Sequence, residues 1–157
     1  MIVDAEELRF REAVPASMKA VNAFADYLRR KGLETVVNDA KARPDPSLRA
    51  QYGDAEDIKA RYPDGPWRRF EVKGRTLLFT CRDDFPFDTL IADRASKTTA
   101  RADWYINVSK DLQYAAVMDG AQREQWQVSS IHDGTKGYGG MVYLCPKQLA
   151  RFIRIAL

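Results

Sequence analysis

Two short runs of alternating residues, joined by a turn, constrain this chain more than any other segment. In Asp57–Tyr62 the apolar positions are Ile58, Ala60 and Tyr62, and in Trp67–Lys73 they include Phe70 and Val72. Apolar residues at every second position belong to a strand with one buried face. Between the runs, Pro63-Asp64-Gly65 supplies a tight loop, with Gly65 in the left-handed position such loops favour. Burying both apolar faces in one core requires even-numbered residues to pair with even-numbered ones, because a one-residue slip turns every side chain over. That register sets Asp57 opposite Glu71, with Lys73 on the same polar face.

The rest of the chain reads as helices and strands around this hairpin. Met18, Val21, Phe24, Ala25 and Leu28 recur at helical spacing and predict an amphipathic helix over 15–31. Pro15 suits its first turn and Gly32 the position just past its end, while Arg29-Arg30-Lys31 complements the negative end of the macrodipole. A shorter helical piece covers Ala5 to Ala13. Leu33 to Asn38 reads as a strand with Val36 and Val37 buried, and 39–53 as a long loop. Further strands are expected at Thr76–Arg82, Asp88–Ala92, Trp104–Val108, Tyr114–Met118 and Met141–Leu144. Residues 93–102 suit a short helix or an ordered loop, and a Pro-initiated helix is expected from Pro146 to Ile155. At 157 residues this is an α/β chain with one domain over 1–157 and room for a sizeable core.

Composition narrows the function classes. With 45% apolar and 30% charged residues the chain is globular, and its net charge of +3 leans toward an anionic partner. Positive residues gather at Arg68, Arg69, Lys73 and Arg75, and again at Arg94, Lys97 and Arg101. Cys81 and Cys145 form no C-x-x-C and read as reduced structural thiols. His132 is the single histidine, which excludes a histidine metal cluster. Residues 134–140 are glycine-rich but lack the order of a phosphate loop, so a hairpin loop is expected there. Ser109-Lys110-Asp111 reads as a turn closing another hairpin. The aromatic residues are expected mostly in the core, with one or two able to stack on single-stranded bases. The N-terminus is acidic without a hydrophobic signal core, and no apolar run is long enough to span a bilayer. A cytoplasmic location away from membranes is expected.

Asp57, Glu71 and Lys73 on one polar face point to phosphodiester hydrolysis. That reaction must activate a water, neutralise developing charge and stabilise the leaving oxygen. Mg²⁺ (or Mn²⁺) takes hard oxygen ligands, keeps several waters and needs only one or two carboxylates. Asp57 and Glu71 supply these, and the Val72 carbonyl adds a third oxygen. Lys73 is placed to orient or deprotonate the water and to counter phosphate charge. The bland alternatives are an exposed Glu71–Lys73 ion pair on an edge strand, worth roughly 0–1 kcal/mol, and Asp57 as a turn residue. Asp54 and Glu56 stand in for Asp57 if the register differs.

Asp57-Ile58, a turn, then Phe70-Glu71-Val72-Lys73 resembles the signature of the PD-(D/E)xK nuclease superfamily. The resemblance covers roughly residues 15–75, with Trp104–Val108 as a later core strand. It implies a restriction-endonuclease-like mixed β-sheet flanked by helices, DNA as substrate, and one or two divalent metals. DNA contacts are then expected from Arg69, Arg75, Lys97, Arg101 and Lys110, and a homodimer is compatible with it. Two departures stand out. Many members carry an extra acid on the first helix, where Ser17 to Leu28 offers only Asp26 and Glu12 lies upstream. The literal Pro63-Asp64 pair sits in the turn, too close to Glu71 to supply the metal ligand. The alternatives are a non-catalytic DNA-binding or assembly module on the same fold, and an unrelated intracellular α/β protein.

Overall fold

The computed structural model describes residues 5–38, 57–94, 101–133 and 138–157. The chain opens with a helix, α1 (Ala5–Arg30), and continues through nine strands: β1 (Glu34–Val37), β2 (Ile58–Arg61), β3 (Arg68–Gly74), β4 (Thr89–Arg94), β5 (Trp104–Val108), β6 (Tyr114–Asp119), β7 (Gln127–Asp133), β8 (Tyr138–Pro146) and β9 (Arg151–Arg154). One sheet runs β1-β2-β3-β5-β6-β9 and the other β4-β8-β7. Within the larger sheet only β3 and β5 are parallel; its other neighbours are antiparallel. The architecture is a sheet-dominated α/β fold.

Strand parity decides which face meets which layer. Ile58, Ala60, Phe70, Val72, Ile106, Val108 and Ala115 lie on one face and form a core with Val21, Phe24, Ala25 and Leu28 of α1. Phe24 stacks on both Tyr27 and Phe70, at 5.6 and 5.9 Å between ring centroids. On the opposite face the sheet is covered only in part. Tyr105, Ala116 and Met118 pack under Leu90, Ala92, Trp126 and Cys145 in a second core built with the smaller sheet. The β1–β2–β3 half of that face is open, with Glu34, Val36, Lys59 and Arg69 exposed.

The helix ends as its sequence dictates. Gly32 takes φ +91°, the Gly32 N–H donates to the Arg29 carbonyl at 3.0 Å, and the Leu33 N–H reaches the Leu28 carbonyl at 3.1 Å. This pair of bonds is the Schellman motif, and glycine adopts its left-handed residue without a Cβ penalty. The Arg30 guanidinium then donates to the Ile155 carbonyl, tying the helix end to the last residues.

Several expectations need correction. The helix is continuous from Ala5, with Pro15 inside it rather than in its first turn; good helix formers on both sides offset the lost hydrogen bond. Val36 is 48% exposed, because β1 is an edge strand and Val36 lies across from Lys59 on the open face. In the turn after β2 the left-handed residue is Asp64 (φ 63°), not Gly65. Aspartate tolerates that region, while the Gly65 N–H closes the turn onto the Tyr62 carbonyl at 2.8 Å. Pro146–Ile155 is no helix: one 3₁₀ turn at Lys147–Leu149 leads into β9. There Phe152 enters the second core and Ile153 the first, an alternation only a strand provides. The strand β7 and the 3₁₀ helix Gly120–Gln125 were not foreseen from the sequence. The loop 39–53 and most of 93–102 lie outside the described residues.

Thr76–Arg82 is irregular rather than a strand. Phe79 and Phe85 pack on Phe152, and Asp84 draws the local donors to itself. Its carboxylate accepts from the Thr80 hydroxyl at 2.6 Å, the Thr80 N–H at 2.9 Å and the Cys81 N–H at 3.0 Å. Such local bonds offer the backbone an alternative to a ladder. The Thr80 hydroxyl, followed by the two amides, holds the Asp84 carboxyl down at about 2. A depressed carboxyl favours the folded loop above its ordinary value near 4. That contribution is lost as pH falls from about 4 toward 2. A carboxyl NMR titration should give Asp84 a midpoint of about 2 that rises in Thr80→Val; a wild-type midpoint near 4 would contradict the contacts.

Gly120 starts the 3₁₀ helix and donates its N–H to the Asp103 carbonyl at 2.8 Å. A Cβ there would stand 2.7 Å from the Asp103 oxygen and 2.8 Å from that of Ala102, both backbone. Gly120→Ala should therefore cost about 1–3 kcal/mol, the range for overpacking, read as a lowered Tm by circular dichroism. An unchanged Tm would mean the 102–103 backbone yields freely.

Candidate active site

The β2–β3 register is Ile58↔Phe70, Lys59↔Arg69 and Ala60↔Arg68. Even residues pair with even, as the apolar pattern requires, and one further step sets Asp57 across from Glu71. β2 itself begins only at Ile58. Beside that end, Asp57 Oδ2 accepts the Val72 N–H at 2.9 Å. In a strand the N–H and C=O of one residue leave on the same side. The Val72 carbonyl therefore projects toward the same edge of β3 as Asp57. Asp57, Glu71 and Lys73 are each half-buried, and none is without an interacting partner.

On its other side β3 meets β5, with Glu71 in register with Tyr105 and Lys73 with Asn107. The three residues thus sit at the boundary between the covered and the open halves of the sheet. Tyr105 and Asn107 belong to the covered half, each 1% exposed. The Tyr105 hydroxyl donates to Asp93 Oδ2 at 3.1 Å and accepts from the Arg123 guanidinium at 2.8 Å. Burial, opposed in part by Arg123, pushes the Tyr105 hydroxyl up to about 12, so it stays a neutral donor. Asn107 Nδ2 donates to the Ile91 carbonyl of β4 at 3.3 Å. Its Oδ1 is buried and accepts no hydrogen bond among the described residues.

Asp93 and Asn107 were missed from the sequence. The available signal was a polar residue inside an apolar strand, as in Trp104-Tyr-Ile-Asn107-Val108. A buried polar side chain needs a partner, but the sequence does not name it. Among the described residues no group of three or more His, Cys, Asp or Glu side chains is arranged to hold a metal. An ion here would rest on two carboxylates, a backbone carbonyl and waters, a set that suits Mg²⁺.

The expected DNA contacts are not all brought together. Arg69 is exposed on β3, two residues before Glu71. Arg75 follows the end of β3, where its N–H bonds the Val108 carbonyl at 2.8 Å and burial lowers its pKa. Arg101 and Lys110 are both exposed but flank opposite ends of β5. Lys97 lies outside the described residues. Lys110 occupies the β5–β6 turn, which Ser109 closes through its N–H to the Tyr114 carbonyl and its hydroxyl to Asp111. His132 lies on β7, in the smaller sheet. Cys81 is exposed; Cys145 is buried, and burial pushes its thiol up to about 12, too high for a nucleophile at neutral pH. No helix among the described residues is long and apolar enough to cross a membrane. Comparison with known proteins yields no relative: no family model, no curated protein and no solved structure matches this chain.

Proposed function

We propose that the chain is a small metal-dependent nuclease that hydrolyses DNA phosphodiester bonds at Asp57, Glu71 and Lys73. The observation that supports this reading is the even-to-even β2–β3 register, which ends at Ile58↔Phe70 and continued by one step would pair Asp57 with Glu71, together with the Asp57 Oδ2 that accepts the Val72 N–H. The order of helix, strand, Asp, hairpin and Glu-x-Lys, followed by a strand parallel to β3, supports a PD-(D/E)xK-like assignment. Asp57, Glu71 and the Val72 carbonyl would hold Mg²⁺ or Mn²⁺, which when bound would neutralise phosphate charge and acidify a water. Lys73 Nζ holds or moves the proton of the attacking water and adds positive charge beside the phosphate. Arg69 and Arg75 bind the DNA backbone on either side. The reading places the protein in the cytoplasm and leaves a homodimer open to test by its mass in solution.

The test is cleavage of duplex, single-stranded and branched DNA with Mg²⁺ and then Mn²⁺. Cut product that disappears with chelator supports the reading. No cleavage of any substrate overturns it. Salt-sensitive binding without cleavage would select a DNA-binding module instead.

A further inference from the structure

The open face of the β2–β3 ribbon carries a second pattern beyond Asp57, Glu71 and Lys73. Odd-numbered residues project from it, and moving back along β3 from Glu71 they are Arg69 and then Trp67. Lys59 lies directly across from Arg69. The Trp67 ring lies against Arg61 and Lys59, at 4.4 and 5.3 Å from its centroid. Lys59 and Arg69 are exposed, Trp67 is 39% exposed, and Val36 beside Lys59 is apolar and half exposed. Glu34, bonded to Arg61 at 2.9 Å, is the acid that the β1 register adds to this face. Around the indole Lys59, Arg61 and Arg69 thus stand with the Glu34 carboxylate, while Asp103 Oδ2 accepts the Arg69 N–H at 2.8 Å.

The Lys59–Arg69 opposition does not favour stability. Like charges directly opposite each other on an antiparallel pair are destabilising. Beside that pair the Trp67 indole keeps 39% of its surface exposed. Both features fit a ligand with negative charge along its length and a flat apolar face at each step. Two residues of strand span about 6.7 Å, comparable to one extended nucleotide. A duplex has its base faces already stacked, whereas a single strand leaves them free to meet the indole. We infer that this face is a track for a single-stranded nucleic-acid segment, with phosphates on Lys59, Arg61 and Arg69 and a base stacked at Trp67, leading to Glu71 and Lys73.

The inference deepens the nuclease reading only in saying where the strand leads; the binding itself can be measured without cleavage. Fluorescence anisotropy in chelator, with a labelled oligothymidine and a duplex of equal length, is the test. The single strand should bind more tightly. Trp67→Ala should weaken its binding roughly ten- to a hundredfold, the range of a base–aromatic stack. Trp67→Phe should keep most of the affinity, because a phenyl ring still offers a face for the base. Lys59→Ala should lower the slope of log affinity against log salt by about 0.7, one phosphate on a single strand. Thermal melts of the variants establish that they are folded. Equal or tighter duplex binding, an unchanged affinity in folded Trp67→Ala, or no binding of either oligomer overturns the track. Binding as expected by a protein that cleaves nothing would retain the track and remove the nuclease.

Discussion

Lys73→Ala should reduce metal-dependent cleavage by about 10²–10⁴-fold, the range for a positioned acid–base group, while Mn²⁺ binding survives. The side chain stands two residues from Glu71 on the same face of β3, half-buried and in register with Asn107. On the proposed reading its amine would work beside the carboxylates without being an oxygen ligand. Lys73→Arg should not restore activity, because guanidinium is larger and keeps its proton at any working pH. Stability should change little, since the core-forming side chains of β3 are Phe70 and Val72 on the other face. Parallel measurements of single-turnover cleavage and Tm separate the two effects. Full activity in a folded Lys73→Ala would remove the catalytic role.

Removing both carboxylates should abolish Mn²⁺ binding in calorimetry, and variants of Asp57 should separate metal binding from stability. Asp57 also has a structural duty, because its Oδ2 receives the N–H of buried Val72. Asp57→Ala leaves that amide without its acceptor, at a cost of about 1–3 kcal/mol if it finds no other. Asp57→Asn keeps an acceptor oxygen and loses the charge. The asparagine variant should therefore melt close to wild type yet bind Mn²⁺ poorly, whereas the alanine variant should lose both. Identical Mn²⁺ isotherms in wild type and in Asp57→Ala with Glu71→Ala would end the metal assignment.

The hairpin was legible because alternation is a strong signal when one face is buried. A one-residue slip would turn Ile58 and Ala60, or Phe70 and Val72, out of the core. Trp104–Val108 was legible for a related reason: it is a run of bulky residues long enough for one strand and bounded by polar ones. The C-terminal segment was misread because Phe152 and Ile153 serve two different cores, and a strand apolar on both faces has no period to detect. Thr76–Arg82 failed through competition, since nothing in its composition announces that Asp84 will collect the Thr80 and Cys81 donors. Asp93 was invisible as a neighbour of Tyr105 because the contact joins two sheets, and pairing between sheets follows from topology rather than from spacing.

The parity of β3 has an evolutionary consequence. Positions 70 and 72 hold the helix against the sheet, whereas 69, 71 and 73 face the other way. Selection for a stable chain and selection for chemistry therefore act on interleaved residues of one strand with little shared constraint. On the proposed reading, a descendant that exchanged Glu71 or Lys73 would lose the chemistry while the Phe70 and Val72 contacts with the helix stay in place. Lineages could shed catalysis in one step and retain a folded scaffold for other uses. The reverse change asks for two or three side chains on a face whose backbone is already in place.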